Sequence, residues 1–440
     1  MGEGSNNQEL RLFLNTLESI KTSDVSVGVF LSIDSLAASS LVANTLRSLK
    51  VIFSLKFFYN KNEFSNFCIE DGDYKIIISD FMPNAIIGKN VIVFSNEVCL
   101  FENEKKIVGC SFDSCNSITD NAFFVLKSFD EKCNSLCFLP LMVSIGSSSE
   151  ISEPMLNNAI SSGIIECKES FSLIGSVTRS IERSFELSVE PYIPSVSNNE
   201  VEALKFLSLL NLDPNKNLNS LDISEVEAHN IYNLISSKNN NLNPMTLISK
   251  TYLLKKEMNN DPLKDLNEFK LFFEACICLN KPSIAVSKCL SPSIYKNRAI
   301  NLVKEFRLHI LKVIEWFYNI KDEIISKSNS VVIAVFKENI DKGIIPVACK
   351  YIYSNFLKDS GKILVFSAER DSFSDFVIFH NKDKEDFKTS KFIDSVNDYI
   401  SNIHNDKGYI QFSVDNSLIN DVLDLININL DGISIKEISQ

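Results

Sequence analysis

Two acidic residues stand where short apolar runs end. Asp34 follows VSVGVFL at residues 25–31, and Asp80 closes YKIIISD at residues 74–80. In open α/β sheets, ligands gather at the carboxyl ends of the strands. A carboxylate there, followed by small residues entering a helix, is how many phosphate and metal sites are built. The chemistry such carboxylates serve is metal-assisted hydrolysis. Hard divalent cations take clustered oxygen and imidazole ligands and activate a water molecule. Glu97 offers a third carboxylate, after Ser95 and Asn96 at the end of KNVIVFS. Local imidazole is absent: the histidines are His229, His309, His380 and His404, and none lies in the first 228 residues. The positions ahead of Asp34 carry Phe30 and Ser32. A plainer role competes, and at Asp34 it outweighs metal binding. An Asp in the first turn of a helix is favoured by the free N–H groups and the dipole there. With Ser35 as N-cap the pair forms a capping turn. For Asp80, a strand-end turn and a relic ligand stand level.

The elements that must position these residues follow from the apolar pattern. VSVGVFL, VIFSLKFF, YKIIISD and KNVIVFS read as buried strands, and SLAASSLVANTLRSLK as a helix. SITDNAFFVLKSF and SLCFLPLMVSIG read as covering helices, and residues 8–20 as a short amphipathic one. Strands separated by helices or loops predict an α/β fold with a parallel sheet. The Pro- and Ser-rich SVEPYIPSVSNNE, residues 188–200, reads as a break. The Asn- and Lys-rich region beyond it reads as a helical insert. Ala299, Val303, Phe306, Ile310, Val313, Phe317, Ile320 and Ile324 then form one apolar seam along a long helix. VVIAVF, KILVFSAE, DFVIF and GYIQFSV follow as strands, with IIPVACKYIYSNFL, SKFIDSVNDYISNI and SLINDVLDLINI as helices.

Composition narrows the function classes. The chain has 440 residues, 45% hydrophobic and 23% charged, enough for two or three globular domains. No apolar run approaches the roughly 18 residues of a membrane span. The polar start MGEGSNNQEL lacks a signal-peptide pattern, so an intracellular protein is expected. The 11 cysteines, including Cys133, Cys137, Cys276 and Cys278, lack zinc spacings and read as buried thiols. The net charge of −12 opposes sequence-independent nucleic-acid binding, which draws on cationic surface. Lys296, Arg298, Lys304 and Arg307 form a local basic cluster, read first as a solvated helix face and otherwise as a weak single-stranded DNA contact.

At this point the residues carry a resemblance. The N-terminal half resembles the DHH phosphoesterase superfamily, which includes RecJ-like nucleases, and the C-terminal part resembles its DHH-associated domain. SLIGSVTRSIERSFELSVEPYIPSVSNNEVEALKFL, residues 172–207, is similar to a segment of the archaeal RecJ-like, GINS-associated nucleases. The resemblance implies a DHH-like α/β domain over residues 1–195 and a helical insert over 196–295. A connecting helix over 296–327 and a smaller α/β DHH-associated domain over 328–440 complete it. The family's two-cation site, usually manganese, is held by carboxylates and histidines. Its first motif, H-x-D-x-D-G, falls here on Phe30, Ser32, Asp34 and Ser35. Its strand-end carboxylate falls on Asp80, its D-H-H triplet on Ser95, Asn96 and Glu97, and its last Asp on Ser147 after Gly146. The G-G-G-H loop of the second domain falls on HNDKGYIQF, where Gly408 remains and Tyr409 takes the His place. His380 aligns near the family's phosphate-contacting Arg segment and reads as a structural histidine.

These vestigial positions imply a catalytically inactive member with no catalytic residue and no cofactor. Asp34 and Asp80 alone leave room for one weakly held hydrated magnesium. The resemblance implies a scaffold subunit in DNA replication that bridges the GINS complex and the MCM helicase, chromosome-associated and without a membrane. Residues 196–295 are then the expected docking module, and Phe269–Leu279 either an apolar contact or core. The alternative is a manganese- or magnesium-dependent exonuclease or phosphoesterase on single-stranded DNA or short oligonucleotides. It would use an atypical metal site from Asp34, Asp80 and Glu97.

Overall fold

The computed structural model describes residues 24–429 apart from 71, 73, 84, 87–89, 97–98, 104–105, 111–116, 129, 146–152, 172, 174, 211–224, 239–247, 259–260, 328–330, 361, 371, 380–388, 398 and 407. The helix expected over residues 8–20, Glu97, Gly146, Ser147 and His380 lie outside the described residues. The chain groups into two compact units, each built from two stretches: Met1–Lys168 with Lys250–Val303, and Glu169–Ser249 with Lys304–Gln440. Residues 196–295 contribute to both. Among the described residues no helix is long and apolar enough to cross a membrane.

In the first unit, β1 (Val25–Phe30) leads into α1 (Ile33–Ser48), β2 (Phe53–Phe58), α2 (Lys61–Ile69), β3 (Tyr74–Ile78) and β4 (Asn90–Phe94). A hairpin, β5 (Cys99–Asn103) and β6 (Lys106–Cys110), follows. Then come α3 (Ile118–Lys127), α4 (Phe138–Ser144), α5 (Glu153–Ser161) and β7 (Ile165–Phe171). The sheet order is β2-β1-β3-β4-β5-β6. The first four strands are mutually parallel, as expected, and β5 and β6 are antiparallel. Parallel strands covered on both faces need near-continuous apolar side chains, and Val27, Val29, Ile76, Ile77 and Ile78 are all buried. Register aligns the strand tips: Phe30 pairs with Phe58, Val29 with Ile78, and Ile78 with Phe94. Whatever follows these residues therefore emerges at one end of the sheet.

Gly28 in β1 makes room for α2. A Cβ there would stand 2.1 Å from the ring of Phe67, which is itself buried and cannot retreat. Gly28→Ala is expected to destabilise the first unit by about 1–3 kcal/mol, read as a lower urea midpoint by far-ultraviolet circular dichroism.

The second unit holds α6 (Ile181–Glu186), α7 (Glu200–Leu209) and α8 (Glu225–Lys238). The chain then returns through β8 (Ile248–Leu254), which pairs with β7, to α9 (Leu266–Cys278) and α10 (Pro282–Leu290) of the first unit. Sequence patterning reads 200–295 as helical apart from a loop at SSKNNNLNPMT, residues 236–246, and β8 corrects that. Phe269, Leu271, Phe272, Phe273 and Cys276 of α9 are buried. Most of the apolar side chains of this segment are core, with Ile277 and Cys278 half-buried.

The long helix α11 (Lys296–Lys327) carries the expected seam, with every named position buried except half-buried Ile320. The basic cluster on it is not one solvated face. Arg307 is buried and donates to the Leu187 carbonyl, while Lys296 pairs with Asp261 at 2.8 Å. Nor is the Pro- and Ser-rich stretch 188–199 an exposed linker. Val189, Tyr192, Ile193 and Val196 are buried. Asn355 accepts from the Tyr192 amide at 2.7 Å and donates to the Val189 carbonyl at 2.9 Å. Backbone turn bonds, such as those from the Val196 and Ser197 amides to the Ile193 carbonyl, satisfy part of the stretch, and side chains satisfy other groups one at a time, which demands fixed partners.

The last sheet comprises β9 (Val331–Phe336), β10 (Ile363–Glu369), β11 (Phe373–Phe379), β12 (Ile400–Asp406) and β13 (Tyr409–Asp415), ordered β12-β13-β11-β10-β9. Helices α12 (Ile344–Ile352), α13 (Thr389–Val396) and α14 (Ile419–Asn429) accompany it. The helix read over residues 390–403 stops at Val396, and its tail is strand β12. Gly408 lies in the turn between β12 and β13 at φ 102°, a conformation that favours glycine. Its retention has a backbone reason independent of any ligand.

Candidate functional site

The aligned tips of β1, β3 and β4 bring together Phe30, Ser32, Asp34, Asp80, Ser95 and Asn96 at one end of the first sheet. Each has a definite local task. Phe30 ends β1 buried in an aromatic cluster, with ring centroids 5.6 Å from Phe64 and 5.0 Å from Phe81. Phe58 stands 5.5 Å from Phe64 and completes the group. Edge-to-face and tilted packing of this kind favours aromatic neighbours and excludes water. Where the resemblance implies an imidazole, apolar rings fill the space.

Ser32 is the N-cap of α1, in place of the expected Ser35. Its hydroxyl accepts from the Ser35 amide at 3.1 Å, and the Ser35 hydroxyl accepts from the Ser32 amide at 2.8 Å. This reciprocal capping box puts Asp34 in the first turn and frees it to act elsewhere.

Asp34 caps a second helix. Its Oδ2 accepts from the Ile118 amide and its Oδ1 from the Thr119 amide, both at 2.8 Å. The Thr119 hydroxyl donates to the same Oδ1 and, at 2.8 Å, to the Asp34 carbonyl. Ser117 then accepts from the Asp120 amide at 3.0 Å. The first three free N–H groups of α3 are thereby satisfied. Burial pushes the Asp34 carboxyl above the usual carboxylate range. The bonds from Thr119 and Ile118 pull it down, and the Asp80 charge adds a smaller push upward.

The remaining positions are bound into the same region. Asn121 of α3 donates to the Ser95 carbonyl at 3.0 Å, and Ser95 is buried. Asn96 donates to the Asp80 carbonyl at 3.4 Å, while Asp80 itself is exposed. Sequence reasoning does not single out Thr119, Asn121, Phe64 or Phe81. The pattern Ser117-x-x-Asp120 ahead of an apolar run does mark a helix start, but nothing local ties that start to Asp34, 84 residues earlier.

No family model matches the sequence, and no curated protein matches it. Solved structures do. The chain is similar to CDC45 from Entamoeba histolytica, at 9% identity over 96% of this chain and 98% of that one, with a TM-score of 0.59. It is similar to exonuclease RecJ bound to manganese, at 9% identity over 96% of this chain and 94% of that one, TM-score 0.54. RecJ from Thermus thermophilus in complex with Mn2+ gives 10% identity, 95% and 54% coverage, and a TM-score of 0.51. This chain spans about half the length of that last protein.

Two of these structures hold manganese. A two-metal site needs several anionic or imidazole ligands within a few ångströms. Among the described residues no group of three or more His, Cys, Asp or Glu side chains could hold a metal ion. Both Asp34 oxygens are engaged by α3, and Phe30 presents carbon. With its parallel sheet, intervening helices and second α/β unit, the chain has the fold that RecJ and CDC45 share.

Proposed function

We propose that this chain is a catalytically inactive RecJ-like protein that serves as a scaffold in DNA replication, bridging the GINS complex and the MCM helicase. The fold is shared with a manganese-bound exonuclease and with CDC45. Fold alone therefore does not choose between catalysis and scaffolding, and function must be argued from the site. One observation carries the reading: the carboxylate best placed to hold a cation is the cap of α3, beside a cluster of phenylalanines. The partners come from the sequence resemblance over residues 172–207. The charge of −12 suits protein contacts better than a grip on phosphates. The docking surface is placed in residues 196–295, where α7 leaves Val201 and Leu204 exposed.

Two measurements test the proposal. A 5′-labelled single strand incubated with the protein and millimolar manganese is expected to release no mononucleotides above a no-protein control. Release that disappears in Asp80→Ala would establish a nuclease instead. Tagged protein is expected to co-purify the host's GINS and MCM subunits. Absence of both from the eluate would remove the replisome role.

A further inference from the structure

We propose that the first turn of α3 is a clasp that ties the strand tips together by hydrogen bonds, at positions where the sequence resemblance implies cation ligands. The proposal rests on reading the first unit as non-catalytic. In sheet order β1 and β4 flank β3. From the β1 side, Asp34 receives the Ile118 and Thr119 amides and the Thr119 hydroxyl. On the β4 side, the Ser95 carbonyl receives Asn121 from the same helical turn. Asn96 then reaches the Asp80 carbonyl after β3, and the Ser79 amide donates to the Phe94 carbonyl at 3.1 Å between β3 and β4. One helix end thus holds the tips on either side of β3, and two further bonds hold β3 to β4.

The clasp and a cation compete for the same atoms. A carboxylate offers about four lone-pair sites on two oxygens, and here three accept hydrogen bonds. Moving either oxygen onto a metal would strand an amide of α3 away from water, which the fold strongly resists. The α3 amides are the quantity to watch, because local opening of that turn is what loss of the clasp would produce.

The experiment is hydrogen exchange by mass spectrometry on the full chain, followed in peptides covering residues 117–124. In Asp34→Asn and Asp34→Ala, exchange there is expected to rise by about tenfold or more. Thr119→Val, which keeps the amide and deletes only the hydroxyl, is expected to give a smaller rise. Asn121→Ala is expected to raise exchange at residues 93–96 as well. Neither a chelator nor millimolar manganese is expected to change exchange in the unsubstituted protein. Unaltered exchange in both Asp34 variants would overturn the clasp. Manganese-dependent slowing that Asp34→Asn abolishes would overturn both the clasp and the non-catalytic reading. Failure to associate with GINS, with the exchange pattern as expected, would overturn the scaffold alone.

Discussion

Placing the motif's ligand types at Phe30 and Ser32 is expected to cost stability and to create no metal site. The double substitution Phe30→His, Ser32→Asp returns the motif's histidine and its first aspartate. Phe30 sits among the rings of Phe58, Phe64 and Phe81, so an imidazole there loses two aromatic contacts and finds no described polar partner. Aromatic pairs contribute about 0.5–1.5 kcal/mol each beyond burial, and burying an unpaired polar group costs about 1–3 kcal/mol. The expected loss is about 3 kcal/mol, seen as a lower urea midpoint. Ser32→Asp alone is expected to be nearly neutral as a cap, since Asp serves that position as well as Ser. The free-manganese signal in electron paramagnetic resonance is expected to stay unchanged when either protein is added. Stoichiometric uptake by the double variant would show that the cleft still accommodates cations and that only the ligand identities had been lost.

The second large effect lies at Asn355, in the single π-helical turn Tyr353–Leu357 that follows α12. Its amide serves two backbone groups of the irregular stretch 188–199, the Tyr192 N–H and the Val189 carbonyl. Asn355→Leu leaves both buried without that partner, at about 1–3 kcal/mol each, so a loss of about 3 kcal/mol or more is expected. Asn355→Asp keeps an acceptor for Tyr192 and loses the donor to Val189, and should fall between. The readout is built in. Trp316 is the one tryptophan of the chain, packed edge-on against Phe336 at 5.1 Å and Phe366 at 6.0 Å. Its fluorescence reports the second unit, and an unmoved transition in Asn355→Leu would refute the account of this stretch.

The parts of this molecule that can be read from its sequence are those governed by local pattern. The strands β1 to β4 and β9 to β11 are short apolar runs between turn residues, and they stand where periodicity puts them. The α11 seam is legible because a buried helical stripe needs no knowledge of its partner. What the pattern misplaces needs distant partners. Arg307 reads as a solvated cation because its acceptor, Leu187, lies 120 residues away. The stretch 188–200 reads as a break because Pro and Ser usually mark one, and Asn355 is invisible until the chain folds. Strands β8 and β12 read as helix because short runs with mixed polarity satisfy either period. At the candidate site, the preference for Asp34 as a capping residue is sound in kind, but the helix it caps is α3 and not its own. The residue type at each motif position can be read one by one. The task of Asp34 cannot, since it depends on what arrives at residues 118 and 119.

The interleaving of the two units has a consequence for biosynthesis. Unit one begins at the amino terminus yet is finished only when Lys250–Val303 has been translated, after the whole of Glu169–Ser249. At about 5–20 residues per second, the nascent sheet waits on the order of ten seconds for α9 and α10 to emerge from the ribosome. During that interval the apolar surface of α1 that later meets them stands uncovered, and a holding chaperone has its natural window there. No contiguous fragment delivers either unit by itself, so fragments cut near residue 195 should emerge insoluble, whereas a chain that joins 168 directly to 250 and ends at 303 should not.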